Sequence, residues 1–310
     1  MKVAFLFSGQ GAQTVGMMKD IYENSVVARE VFEKADIILG RSISSLCFDG
    51  PQEELNLTHN TQPCMLAAEL AAHAALEEKG IKPDAVAGFS LGEYAALTAA
   101  GAFKMEDVFR VIQIRADAMQ DACPVGKGGM AAITKQDVST IQALCDEADG
   151  YVVPVNFNCP GQIVVSGEDK AVDQVCASAK SRKIRAIKLP VSVPSHCALM
   201  KPAADKLAEV FKTVSFQPVS IACYSDVDAL PYRPDADIAA QLWQQVQSPV
   251  LWEQTLRNMH QDGIDTFVEV GPGTTLSSFV KKTFTGDEDI RILNVSDQES
   301  LVSTICELRG

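Results

Sequence analysis

The chain has 310 residues, 47% hydrophobic and 22% charged, enough for a large buried core and ordinary for a globular protein. A formal net charge of −13 argues against nucleic acid and against an anionic membrane surface as partners. Nine scattered Cys, with no C-x-x-C pair and no metal-ligand spacing, read as reduced core cysteines of a cytoplasmic protein, so no metal is expected. The opening MKVAFLFSG is too short an apolar run for a signal peptide, and no apolar run approaches membrane-spanning length.

In chain order, Val3–Phe7 is a continuous apolar run, the mark of a buried parallel strand, and it ends in Ser8-Gly9-Gln10-Gly11. The glycines let the backbone approach another group closely. This turn either only links strand to helix or aims the Gln10 backbone N–H at a pocket. Residues 18–80 read as helices broken by loops. Asn60-Thr61-Gln62-Pro63 opens a helix over 64–79, with Pro63 near its first turn. Its Ala67, Ala68, Ala71, Ala72 and Ala75 suit close packing behind the next element. His73 reads as structural, and His59 has no partner visible in the sequence.

The central stretch is 84–97, DAVAGFSLGEYAAL. A short apolar strand turns sharply at Gly88-Phe89-Ser90-Leu91-Gly92 into a helix. In this G-x-S-x-G frame the apex lifts Ser90 clear of the sheet, at a helix N-terminus that favours an oxyanion. A second helix over 106–120 carries the apolar stripe Val108, Val111, Ile112 and Met119. At about 100° per residue, Arg115 falls inside that stripe. It either snorkels to the edge or holds a buried anion. A permanently charged fork beside a nucleophile suits a substrate carboxylate.

Residues 126–191 change texture and order as β-α-β-β-α-β, with Pro160-Gly161 turning between the middle strands. The expected fold is therefore α/β: a large α/β-hydrolase-like domain with a parallel sheet (1–125 and 192–310) carrying an inserted ferredoxin-like domain (126–191). Lys180, Arg182, Lys183, Arg185 and Lys188 form the densest basic run of this acidic chain. They either decorate a helix C-terminus, where cations suit the dipole, or dock an acidic partner or a phosphate. Pro190 and Pro194 fix an extended approach to His196, expected to open a helix over 198–212. His260 suits a helix C-terminus. From 219 the chain alternates strands and helices, and Val268 to Gly273 ends a strand in a Gly-rich turn that either closes a loop or meets a phosphate.

Taken together these stretches resemble the malonyl-CoA:acyl-carrier-protein transacylase family, end to end and in order. Phe7 to Gly11 resembles its F-[PS]-G-Q-G, Thr61-Gln62-Pro63 its T-Q-P, and Gly88 to Gly92 its G-H-S-x-G elbow. Gln113 to Ala116 resembles its arginine helix, Asn158 to Gln162 its N-x-P-G-Q, Pro194-Ser195-His196 its histidine motif, and Val268 to Gly273 its E-V-G-P-G. Gln245 stands a few residues before Pro249-Val250, as in the family.

The resemblance implies a nucleophile at Ser90 and a general base at His196, oriented by a main-chain carbonyl near Gln245 and not by an Asp. It implies an oxyanion hole from the backbone N–H groups of Gln10 and Leu91. Arg115, Gln245, Asn158 and Phe89 fall around the substrate, with Arg115 on the malonyl carboxylate. The partners implied are malonyl-CoA and acyl-carrier protein, in a ping-pong reaction with no cofactor, on a chain expected to be monomeric. The carrier protein is acidic, so the basic run is the expected docking face.

Phe89 stands where the family usually has His. If that His touches the substrate carboxylate, a hydrogen bond worth about 1.5–3 kcal/mol is missing here. The rival readings are a serine esterase or thioesterase, which must admit water to the same acyl-enzyme, and an acyltransferase of a polyketide assembly line. A non-catalytic carrier-binding subunit would predict a broken Ser–His dyad, whereas both residues are present.

Overall fold

A computed structural model describes residues 1–124, 126–191 and 193–310. The apolar runs read as strands form two sheets. The first is built from β1 (Val3–Phe7) and β2 (Ala85–Gly88); the strands β3 (Gly128–Thr134), β4 (Val152–Cys159), β5 (Gln162–Glu168) and β6 (Arg185–Lys188) form the second. The first is completed by β7 (Ala222–Tyr224), β8 (Thr266–Val270) and β9 (Arg291–Val295). Its order is β7-β2-β1-β8-β9, and every pair is parallel. The central strands β1, β2 and β8 are buried along their whole length, which is why β1 and β2 read as unbroken apolar runs, while β8 carries Thr266 and Glu269 buried among apolar residues.

Helices α1 (Lys19–Asn24), α2 (Val26–Leu39), α3 (Ile43–Asp49), α4 (Gln52–Leu55) and α5 (Thr58–Glu78) separate β1 from β2. After β2 come α6 (Gly92–Ala99) and α7 (Met105–Ala122). The second sheet carries α8 (Val138–Asp146) and α9 (Asp169–Ser181). A single 3-10 turn (Ala198–Met200) leads into α10 (Lys201–Phe211), and α11 (Ile238–Gln245), α12 (Trp252–Gln261), α13 (Thr275–Thr283) and α14 (Gln298–Arg309) follow.

The second sheet runs β4-β5-β3-β6 and is antiparallel throughout. One face, through Ala131, Ile133, Ile163 and Val165, packs on α8 and α9; this is the expected ferredoxin-like order. The other face, through Met130, Val155 and Val164, packs on Cys197 just beyond His196. The expected junctions of this unit, at residues 125 and 192, lie outside the described residues.

Three elements differ from the sequence expectation. α5 starts at Thr58 and holds Pro63 inside it, not at its first turn. The proline removes the bond to the carbonyl four residues back, His59 O. That carbonyl accepts instead from Arg41 Nη2 at 3.0 Å and Gln113 Nε2 at 3.1 Å, so the helix continues. β7 is shorter than 219–224 because Gln217 and Ser220 donate to the 100–102 loop, to Ala102 O and Ala100 O, and not to the sheet. The segment after His196 is a 3-10 turn before α10, whose first turn takes Pro202.

Two glycines set how closely β2, α6 and β1 approach. A Cβ on Gly88 would lie 1.9 Å from Gly92 O, and one on Gly92 would lie 2.3 Å from Phe7 O. Both obstacles are backbone and cannot rotate away. Gly88→Ala is therefore expected to destabilise the chain by about 3 kcal/mol or more. Gly80→Ala, at φ +76 with open space around it, should cost only about 1–2 kcal/mol. Urea unfolding of the two variants checks the contrast.

Candidate active site

At the carboxyl end of β2 the chain reverses through Ser90, whose φ of 57 is left-handed and rare for a residue with a side chain. The strain is held by its neighbours. Ser90 N donates to Asp226 Oδ2 at 2.6 Å, just past β7, and Ser90 O accepts from Gln245 Nε2 at 2.8 Å. His196 also has a positive φ, 65, and its N–H donates to Val246 O at 2.9 Å. Two distant segments are thus locked so that their side chains meet.

The meeting is direct. Ser90 Oγ lies 2.8 Å from His196 Nε2. The other ring nitrogen, Nδ1, faces two carbonyls, Gln245 O at 3.0 Å and Ser248 O at 3.2 Å. Carbonyl oxygens only accept, so Nδ1 carries the proton and Nε2 is left free to accept from the Ser90 hydroxyl. The imidazole is 2% exposed. Burial, and next the positive Arg115, push its pKa down to about 4, so it stands neutral, as a base, at neutral pH.

Arg115 reaches the same oxygen from α7. Its Nη2 lies 3.1 Å from Ser90 Oγ and 3.0 Å from Gln245 Oε1, and its Nη1 lies 2.6 Å from Gln62 Oε1. The guanidinium also stands 5.4 Å over the Tyr94 ring. Of the two readings open in the sequence, snorkelling is therefore wrong: Arg115 is 1% exposed, with its charge in the core of the site.

Behind it is a polar cluster that spacing did not reveal. Gln245 Nε2 has two hydrogens and three acceptors in reach, Ser90 O, Glu93 Oε2 at 2.5 Å and Asp226 Oδ2 at 3.2 Å. Tyr232 donates to Glu93 Oε1 at 2.6 Å. Burial raises the Glu93 carboxyl to about 7 and holds Asp226 well above the usual carboxylate range. Glu93 stands in the sequence directly after the elbow, three residues past Ser90. Asp226 does not: only the sheet order places the end of β7 beside β2.

Ser90, His196 and Arg115 line a chamber of about 100 Å³, with Gln10, Leu91 and Gln62 on its wall. Among the described residues the backbone N–H groups of Gln10 and Leu91 have no acceptor within the protein. A second cavity of about 230 Å³ adjoins the chamber at Gln10, Phe89, Asn156 and Leu189, and extends past Asn158 and Gln162. The Phe89 ring is the apolar partition between them, packed 5.4 Å from Trp252 and 6.3 Å from Phe279. A larger concavity, about 700 Å³ along α13 and β9, lies elsewhere and does not include Ser90, His196 or Arg115.

Comparison with known proteins agrees with this geometry. The acyl transferase domain family matches residues 4–301. The malonyl CoA-acyl carrier protein transacylase of Bacillus subtilis (strain 168) is 41% identical over 99% of this chain and 98% of its own length. That of Escherichia coli (strain K12) is 42% identical over 90% of this chain and 92% of its own. The crystal structure of the Clostridium perfringens transacylase superposes with a TM-score of 0.95 at 39% identity, covering 100% of this chain and 98% of that one. A malonyl-transacylase in complex with its type II PKS acyl-carrier protein superposes equally well, TM-score 0.95 at 37% identity, covering 99% and 100%. The chain belongs to the malonyl CoA-acyl carrier protein transacylase family.

Within this family frame the structure brings Ser90, His196 and Arg115 into contact, with Gln10, Leu91 and Phe89 on the same chamber wall. Asn158 lies further out, on the second cavity only. Gln245, expected at the substrate, lines neither cavity; its contacts are to His196, Ser90 and Arg115. The Val268–Gly273 turn leaves no room for a phosphate, because Glu269 already accepts from the first α13 N–H groups, Leu276 at 3.0 Å and Ser277 at 2.7 Å. Of the basic run, Arg182 pairs with Glu147, and Lys188 with Asp169 at 2.7 Å and Asp173 at 2.6 Å. None of its five residues lines either cavity.

A depressed imidazole gives a signed expectation. The neutral form persists until the pH falls to about 4, well below the unperturbed value near 6.5. The His196 ring signals in an NMR titration should therefore show a midpoint near 4, and Arg115→Met, which removes the nearby positive charge, should raise it.

Proposed function

We infer that this chain transfers a malonyl group from malonyl-CoA to the phosphopantetheine thiol of acyl-carrier protein, through a malonyl ester on Ser90. The observation that carries the reading is that one oxygen, Ser90 Oγ, meets both a neutral base and a buried cation within one small chamber. His196 takes the Ser90 proton as the oxygen attacks the thioester carbonyl. The Gln10 and Leu91 N–H groups hold the oxyanion, Leu91 at the start of α6 where the dipole adds to the field. Arg115 pairs with the free carboxylate of the acyl group. Collapse breaks the C–S bond, and CoA leaves with the proton from His196.

The second half runs the same atoms in reverse. His196 takes the proton of the carrier's thiol, the sulfur attacks the ester carbonyl, and Ser90 Oγ leaves with that proton. Each half balances with these groups alone, so no cofactor is called for. Among the described residues Asn156 Oδ1 and Asn158 Oδ1 are buried without a partner, which suits them to accept from the amide N–H groups of a pantetheine arm in the second cavity. A carrier of a polyketide line is the second reading, favoured by the likeness to the transacylase solved with its type II PKS acyl-carrier protein. Every group used comes from this one chain, which supports a monomer, and nine unpaired cysteines support a cytoplasmic one. Residues 126–191, which supply Met130, Asn156 and Leu189 to the chamber, would act as an inserted unit closing over the elbow.

Brief mixing with malonyl-CoA followed by intact-protein mass measurement is the primary test. A malonyl adduct should form on the natural chain, be absent in Ser90→Ala, and be discharged by acyl-carrier protein. His196→Ala should slow its formation roughly 10²- to 10⁴-fold. Discharge to free malonate just as fast without carrier protein would identify a hydrolase instead.

Docking of an acidic carrier on a chain of net charge −13 needs a local exception. The basic run remains our candidate, led by Lys183 and Arg185, since Arg182 and Lys188 already face carboxylates. Arg185 pairs with Thr134 in the sheet, two places along from the cavity-lining Ala132, and so on the cleft face. Lys183→Glu with Arg185→Glu should raise KM for carrier protein and leave KM for malonyl-CoA nearly unchanged. Equal effects on both would remove the docking assignment.

A further inference from the structure

Gln62 is buried on the chamber wall, contributed by α5 one residue before Pro63. Its amide orientation is fixed by chemistry: the atom 2.6 Å from Arg115 Nη1 must be Oε1, because a guanidinium can only donate. That leaves Nε2 with two N–H groups, and its one partner is the Met119 thioether at 3.6 Å, a weak acceptor. Among the described residues Arg115 Nε is likewise buried without a partner. Gln62 and Arg115, both on the chamber wall, thus each keep an under-used donor, in an interior where an unmet donor is costly. The chamber supplies no carboxylate of its own to them: Glu93 and Asp226 lie behind it and do not line it.

From this we propose that Gln62 is a second recognition residue for the free carboxylate of the acyl group, donating through Nε2 while its Oε1 aims Arg115. The inference rests on the malonyl-transfer reading. A carboxylate that pairs with Arg115 within the chamber comes beside the Gln62 amide, whose oxygen touches the same guanidinium. The Met119 thioether gives way to it, since Met is flexible and a charge-assisted bond is much the stronger of the two. Phe89, the other side chain flanking Ser90 on that wall, offers no donor. Carboxylate recognition then falls to Arg115 and Gln62 together.

The experiment compares acylation of Ser90 by malonyl-CoA and by acetyl-CoA, which lacks the carboxylate. In Gln62→Met, similar in length and unable to donate, the ratio of kcat/KM for malonyl-CoA over acetyl-CoA should fall roughly 10- to 100-fold. Gln62→Glu keeps an oxygen facing Arg115 but loses the donor, and should lose the malonyl preference at least as far. Equal losses with both thioesters would show a structural role and overturn the proposal. A Gln62→Glu variant that keeps its malonyl preference would reduce Gln62 to an aiming device for Arg115, and also overturn it. Failure of the underlying reading looks different: the natural chain itself would then form no malonyl adduct.

Discussion

Arg115 carries a permanent charge at a position 1% exposed, where an unsolvated cation would cost several kcal/mol if left without partners. The surrounding architecture meets that demand. Gln62 from α5, Gln245 from α11, Tyr94 from α6 and the Ser90 hydroxyl each give the guanidinium an oxygen or a ring face. Two further carboxyl groups, Glu93 and Asp226, lie behind it, their own ionisation opposed by burial. A buried ion arranged this way contributes little net stability, yet it is costly to disturb, so it holds its neighbours to one geometry. Its field also acts on the base, since a cation nearby keeps His196 from charging.

Gln245 is the joint through which these demands meet. Its main-chain carbonyl fixes the His196 tautomer, its side-chain oxygen receives Arg115, and its amide nitrogen holds the backbone of Ser90. The usual carboxylate partner of a catalytic histidine is thereby replaced by two carbonyls. Neutral acceptors stabilise an imidazolium less than a carboxylate does, so the pKa of the base is left low and the proton it takes is readily returned. A ping-pong transfer asks for that twice per turnover, once to each leaving group.

Ser90 and Arg115 stood out because their constraints are local, whereas the part expected of His196 came with the family resemblance. The Gly88 and Gly92 spacing records a backbone approach that admits no Cβ, and the position of Arg115 within an apolar stripe records burial. The βαββαβ order was legible for the same reason, each strand and helix showing its own period. What stayed hidden depends on long-range placement. Asp226 enters the site only because β7 joins the sheet edge next to β2. The true start of α5 was masked by Pro63, whose lost bond is replaced by Arg41 and Gln113 from two other helices or their flanks. The pairing of Arg182 and Lys188 with Glu147, Asp169 and Asp173 likewise needed the fold, so the basic run looked more available in sequence than it is.

The size of the chamber bears on why an acyl-enzyme here would wait for a thiol. At about 100 Å³ the chamber is well below the size of an ordinary small-molecule site. On the malonyl-transfer reading, a malonyl group esterified to Ser90 and paired at its far end with Arg115 would fill part of this chamber and displace water from the ester. The remaining approach to the ester carbonyl is through the second cavity, past the Phe89 ring and the two asparagine oxygens. That route suits a long, narrow arm carrying amides and ending in sulfur. An acyl group without a carboxylate would leave the guanidinium with its neutral protein partners only and the chamber part-filled, with space for water beside the ester. On that reading the cation that selects the acyl group would also protect it, and selectivity and transfer would be two consequences of one buried charge.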